Sequence, residues 1–223
     1  MIEFTPKYIT FDCYGTLTSF GMAAMTREIF ADRIPPEQME LFVKNFASHR
    51  LNEVLGAWQP YADVICNALE HTCKLWKLQF NEREAMSYYE AVPTWGPHAD
   101  VAAGLSKIAD KIPLVILSNA ANDQIQHNVD KLGAHFPHVY TAEQAQAYKP
   151  RLEAFEYMLD QLGCGPEQIM HVSSSFRYDH MSAADLGFGA RVLVNRSHEP
   201  SLMPHYATHE IKDIGGLSGL LGL

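Results

Sequence analysis

The sequence predicts an α/β protein, a doubly wound parallel sheet interrupted by an all-helical insert, on three observations. Short apolar runs suited to buried strands recur at residues 8–11, 114–117 and 169–172, with weaker ones at 138–140 and 191–194. Helix-like stretches at 101–108, 123–132, 151–162 and 181–186 alternate with the later runs, and Gly133, Gly163 and Gly187 close the last three. Alternation of this kind builds a parallel sheet with crossover helices. The stretch 21–92, in contrast, has no strand pattern. It reads as helices at 22–31, 37–54, 61–75 and 82–91, punctuated by Pro35, Pro36, Pro60, Asn81 and Pro93.

The domain boundaries expected from this are a core at 1–20 and 93–223 and a helical cap at 21–92. The segment 92–98, with Pro93 and Pro97, is the return from cap to core. No repeat or low-complexity tract is visible.

The 223 residues are 47% hydrophobic and 19% charged, the profile of a globular chain with a full core. A net charge of −9 argues against nucleic acid or an anionic membrane as partner, while leaving room for a local cationic site that binds a small anion. No apolar run approaches the ~20 residues of a membrane helix. The start, Met-Ile-Glu-Phe, has no signal-peptide character. Cys13, Cys66, Cys73 and Cys164 have no metal-binding spacing and are expected to be reduced thiols of a cytoplasmic protein. The 11 histidines include no pair in a zinc-ligand context.

The chemistry concentrates where strands end. In open α/β sheets ligands sit beyond the carboxyl ends of the strands. Asp12 ends the first strand and runs into Gly15 and Thr16; Ser118 and Asn119 end the second; Lys149 precedes Pro150 at a helix start; Ser173, Ser174 and Ser175 follow the fourth run, with Asp179 beyond. Each has an ordinary alternative. Asp12 suits a turn, Ser118 and Asn119 an N-cap, Lys149 the surface, and the serines a loop.

Taken in order, YITFDCYGTLTSF, LSNA, AYKP and HVSSSFRYD resemble the site motifs of the haloacid dehalogenase superfamily, over nearly the whole chain and including the cap position. Tyr14 stands where phosphatases of that superfamily have a second aspartate, and Ser174 where they have the first acid of a Mg²⁺-binding pair. A hard cation that wants oxygen ligands is poorly served by this set. Asp12, Tyr14, Ser118, Asn119, Lys149, Ser174 and Asp179 together resemble the type II 2-haloacid dehalogenases.

That resemblance implies a metal- and cofactor-free hydrolase of small anionic carboxylic acids, in which Asp12 attacks C2 of an (S)-2-haloacid and water then cleaves the aspartyl ester. It implies that Thr16 orients Asp12, Lys149 holds it ionised, and Asp179 pairs with Lys149 and activates or positions the water. Ser118, with N–H groups around Cys13, Tyr14 and Asn119, would bind the substrate carboxylate. A cap arginine near the leaving halide is expected, with Arg50 ahead of Arg27 and Arg33; Phe20, Trp58 and Tyr61 are candidates for an apolar wall. Phe176 occupies the place, three before Asp179, where the dehalogenases have asparagine, and Arg177 follows it. Proteins of the kind it resembles are often homodimers, although the sequence itself does not give the oligomeric state.

Three rivals stand beside this reading. The L-azetidine-2-carboxylate hydrolases resemble the dehalogenases, and in that case Asp12 would open a strained ring by breaking C–N. A phosphatase would need a metal and an acid that the sequence lacks. A non-catalytic anion binder on the same fold is the third.

Overall fold

Six parallel strands and the crossovers between them place every candidate side chain of the core. The computed structural model describes residues 2, 4–197 and 203–223. After β1 (Tyr8–Phe11) come four helices, α1 (Met22–Ile29), α2 (Pro36–Leu55), α3 (Tyr61–Leu75) and α4 (Glu82–Ala91). Then α5 (Val101–Leu105), β2 (Leu114–Ser118), α6 (Asn122–Val129), β3 (His138–Thr141), α7 (Ala142–Ala145), α8 (Leu152–Leu162), β4 (Ile169–Ser173), α9 (Met181–Asp185), β5 (Ala190–Val194), β6 (His209–Ile211) and α10 (Gly216–Leu221) follow.

The chain divides into two compact units, Met1–Ser19 with Gly96–Leu223, and Phe20–Trp95. In the first, the strand order is β3-β2-β1-β4-β5-β6 and every pairing is parallel. β1 is flanked by β2 and β4, so the carboxyl ends of these three strands meet at the point where the order reverses, the usual place for a ligand in such sheets.

Period-two alternation divides the side chains between two apolar layers. Ile9, Phe11, Leu114, Ile116, Met170 and Val172 pack with Val101, Leu105, Ile125, Val129 and Leu217 of α5, α6 and α10. Val115, Leu117 and Ile169 point the other way and pack with Phe155 and Met158 of α8 and Ala183 of α9. Thr10 and His171, paired in register across β1 and β4, lie on this second face and are both fully buried. α8 ends at Gly163, whose φ of +59° places it in the left-handed region where only glycine is unstrained.

The second unit is all helix. α2 begins with Pro36 at its first turn, and Asn81 caps α4 by accepting from Arg83 N. Phe30, Phe42, Phe46, Ile65, Leu69 and Tyr88 are almost wholly buried, and the Tyr88 hydroxyl donates to Thr26 Oγ1 at 3.0 Å.

Three features escape the sequence expectations. β6 has only three residues, too few for a pattern. α7 is a single turn held by a capping box, Thr141 with Gln144. Phe176–His180 forms a π turn, which holds one residue more than an α turn.

Candidate active site

Asp12 follows β1, and its main-chain N–H donates to Val172 O across the β1/β4 pair. The turn after it reverses at once: Leu17 N and Thr18 N both donate to Cys13 O at 2.9 Å. Gly15 makes this possible with φ +93°, a backbone conformation that is strained for any residue with a side chain. The turn brings Thr16 back onto the carboxylate, with its hydroxyl donating to Asp12 Oδ2 at 2.6 Å. Thr16 Oγ1 in turn accepts from Ser174 N at 2.9 Å and lies 3.2 Å from the Ser174 hydroxyl.

Lys149 reaches the other oxygen. Its ammonium donates to Asp12 Oδ1 at 2.9 Å and to Asp179 Oδ1 at 2.6 Å, and the residue is 1% exposed. Burial penalises this cation, but Asp12 and Asp179 outweigh that and raise its pKa. Burial pushes the Asp12 carboxyl up from the usual carboxylate value; Lys149 and Thr16 pull against it, while Asp179 adds to the rise. Asp179, despite full burial, is held well below the usual range, because Lys149 and His171 favour its anion.

Asp179 is saturated with donors. Beside Lys149, His171 Nε2 lies 3.0 Å from Oδ1 and the Ser173 hydroxyl donates to Oδ2 at 2.9 Å. The π turn that carries it opens at Ser175, whose hydroxyl accepts from Tyr178 N at 3.1 Å. With one extra residue in that turn, Ser175 heads it, four positions before Asp179; Phe176 lies inside it, buried against the His180 ring at 5.6 Å. Arg177 is exposed. His180 donates from Nε2 to Ser173 O at 2.9 Å; burial lowers its pKa to about 4, and its Nδ1 has no partner among the described residues.

The remaining candidates divide by role. Ser118 Oγ, at the end of β2, is buried and has no hydrogen-bond partner among the described residues. The Asn119 side chain is committed to Lys149: Nδ2 donates to Lys149 O at 2.8 Å and Oδ1 accepts from Lys149 N at 2.7 Å. The Tyr14 hydroxyl donates to Asn128 Oδ1 at 2.9 Å. The Cys13 thiol is buried beside Thr18 Oγ1, and burial pushes its pKa up to about 12, so it stays a thiol. Arg196, absent from the expected set, donates through Nε and Nη2 to Thr16 O and pairs with Asp100 at 2.8 Å.

Arg50 belongs to the helical unit. Its guanidinium stands 5.2 Å from the Phe20 ring centre and 5.0 Å from that of Phe46, and its Nε is buried with no partner among the described residues. Trp58 Nε1 is in the same condition. Arg27 and Arg33 are paired with Glu40 and Glu84. The structure therefore gathers Asp12, Thr16, Lys149, Ser174 and Asp179 into one bonded cluster, and His171, Ser173 and Arg196 join it. Only the β1/β4 register points to His171, by placing it opposite Thr10.

The chain is 29% identical over 174 residues to the haloacetate dehalogenase of Moraxella sp. (strain B), covering 75% of this chain and 76% of that protein. It is 25% identical over 225 residues to the (S)-2-haloacid dehalogenase of Pseudomonas putida, covering 96% of each. The solved structure of the L-2-haloacid dehalogenase of Xanthobacter autotrophicus with chloropropionic acid covalently bound matches with a TM-score of 0.77 at 21% identity, over 100% of this chain and 99% of that one. The family model for haloacid dehalogenase-like hydrolases matches residues 6–187, and the chain belongs to that family.

Proposed function

We propose that the chain is an (S)-2-haloacid dehalogenase that works through an aspartyl ester on Asp12. The observation that carries this reading is the pinning of Asp12 by Lys149 on one oxygen and Thr16 on the other. A carboxylate held in one orientation and kept anionic is prepared to act as a nucleophile.

In the first step an Asp12 oxygen attacks C2 from the side opposite the halogen. The C–O bond forms, the C–halogen bond breaks, and its electron pair leaves with halide. In the second step water attacks the carbonyl carbon of the ester, and the acyl–oxygen bond breaks. One water proton ends on the 2-hydroxyl and the other is released to solvent. The product is an (R)-2-hydroxy acid, and Asp12 keeps the water's oxygen.

Ser118 supports a carboxylate cradle. A buried hydroxyl without a partner costs roughly 1–3 kcal/mol, and a substrate oxygen at the end of β2 would remove that cost. Asp179, already accepting from three donors, is a weak base, and we assign it to anchoring Lys149. The relatives named above are dehalogenases by name, and the covalent chloropropionic acid complex is of the kind this mechanism forms.

The test is chloride release from (S)-2-chloropropionate in EDTA, with Asp12→Asn as control. Release by the wild type alone supports the reading. No release from folded wild type overturns it.

A further inference from the structure

We propose that His171 is a positioning residue, which together with Thr10 locks Asp179 as the fixed anion that aims Lys149 at Asp12. The proposal rests on the dehalogenase reading for its kinetic arm only.

His171 sits in the middle of β4, on the face covered by α8 and α9. Its ring meets Phe155 edge-on at 5.7 Å and Phe188 at 5.9 Å, and it is fully buried. An apolar side chain would fill this position at least as well, so the imidazole needs another reason. Its two ring nitrogens supply one. Nε2 lies 3.0 Å from Asp179 Oδ1; a carboxylate oxygen only accepts, so Nε2 carries the proton. Nδ1 lies 2.8 Å from Thr10 Oγ1, directly across the β1/β4 register. The ring is thus anchored to two strands, by its own main chain on β4 and by Thr10 on β1, and presents Nε2 to Asp179.

Asp179, in contrast, sits on a π turn, a one-turn irregularity with no strand ladder to fix it. His171 and Ser173, two apart on β4 and so on the same face, tie its two oxygens to the sheet. Oδ1 is shared by His171 and Lys149, so wherever the imidazole puts that oxygen, the ammonium follows. The chain Thr10–His171–Asp179–Lys149–Asp12 therefore begins on β1 and returns to the nucleophile just beyond its end.

The experiment compares wild type, His171→Gln and the double variant T10V/H171F. Gln keeps a donor near the Nε2 position. The double variant replaces both partners of the buried Thr10–His171 bond with apolar groups of similar shape and leaves Asp179 with Lys149 and Ser173 as donors. Two readouts are used: steady-state kinetics on (S)-2-chloropropionate, and the 15N resonance of the Lys149 ammonium, which needs no substrate. The proposal expects T10V/H171F to lose about 10- to 100-fold in kcat with KM within about 3-fold. It expects His171→Gln to recover most of that loss. The ammonium resonance should be sharp in wild type and the Gln variant and broadened by exchange in the double variant.

If T10V/H171F matches wild type in both kcat and the Lys149 resonance, the proposal is overturned. It is also overturned if both variants fall equally in parallel with their melting temperatures, which marks a merely structural role. Should the double variant not fold, His171→Asn, too short to reach Asp179, takes its place with the same expectations. Should wild type release no halide, the dehalogenase reading fails, and the Lys149 resonance alone upholds or overturns the positioning role.

Discussion

The Asn119 side chain grips the main chain of Lys149 at both ends, accepting from its N–H at 2.7 Å and donating to its C=O at 2.8 Å. The end of β2 thus fixes the backbone from which the buried ammonium projects. Asn119→Ala removes two hydrogen bonds and should destabilise the fold by about 2 kcal/mol. It should also lower kcat by about 10- to 100-fold, since Lys149 is no longer aimed. Thermal unfolding and halide-release kinetics check the two effects.

Lys149 itself bridges Asp12 and Asp179, bonded to both carboxylates. Lys149→Met leaves two buried carboxylates facing each other without compensation, a change expected to cost about 3–5 kcal/mol and to abolish measurable turnover. Lys149→Arg should not rescue it, because a planar fork does not fit a site built for a point charge. Chemical denaturation and activity assays of both variants give the answer.

The pH dependence follows from Asp12. Its folded pKa is raised, and only its anion is a nucleophile. Activity is therefore full above that raised pKa and lost as pH falls through it, so the acid limb of kcat/KM lies above the usual carboxylate value. Thr16→Val removes a hydrogen bond that favours the anion, and the limb should move to still higher pH. A pH series on both proteins tests the direction.

His180 governs acid stability. It is buried and neutral, with a folded pKa of about 4 against 6.5 when exposed. Between those values the unfolded chain binds the extra proton, so stability from this group is complete above pH 6.5 and is lost as pH falls towards 4. The loss is about 3 kcal/mol. His180→Gln should flatten the stability curve across that window, measured by urea unfolding at several pH values.

Arg196 bears on the nucleophile turn from below, with two donors on Thr16 O and an ion pair with Asp100, which also accepts from Ile214 N. Arg196→Gln should reduce kcat roughly 10-fold with little change in KM, because Thr16 orients Asp12 and does not carry the substrate.

Much of this was legible in the sequence because buried parallel strands read as plain apolar runs, and a charge or hydroxyl at the end of such a run stands out. Asp12, Ser118, Ser174 and Asp179 were visible in that way, and Lys149 by its place before Pro150. His171 was not, since its meaning depends on a partner 161 residues away, Thr10, known only from strand register. Phe176 matches the family pattern by its place three before Asp179, and the fold puts it inside a π turn headed by Ser175, which no sequence pattern announces. The sequence offers Asn119 to the substrate carboxylate, and only the fold shows its side chain closing on Lys149. β6 was too short to carry a pattern.

The most direct test of the central claim is the fate of water oxygen in a single turnover. With enzyme in excess over (S)-2-chloropropionate in 18O-water, the account predicts one 18O in the peptide that contains Asp12 and none in the 2-hydroxypropionate. Label in the hydroxy acid, with Asp12 unlabelled, would mean that water attacks C2 directly and would contradict the ester mechanism.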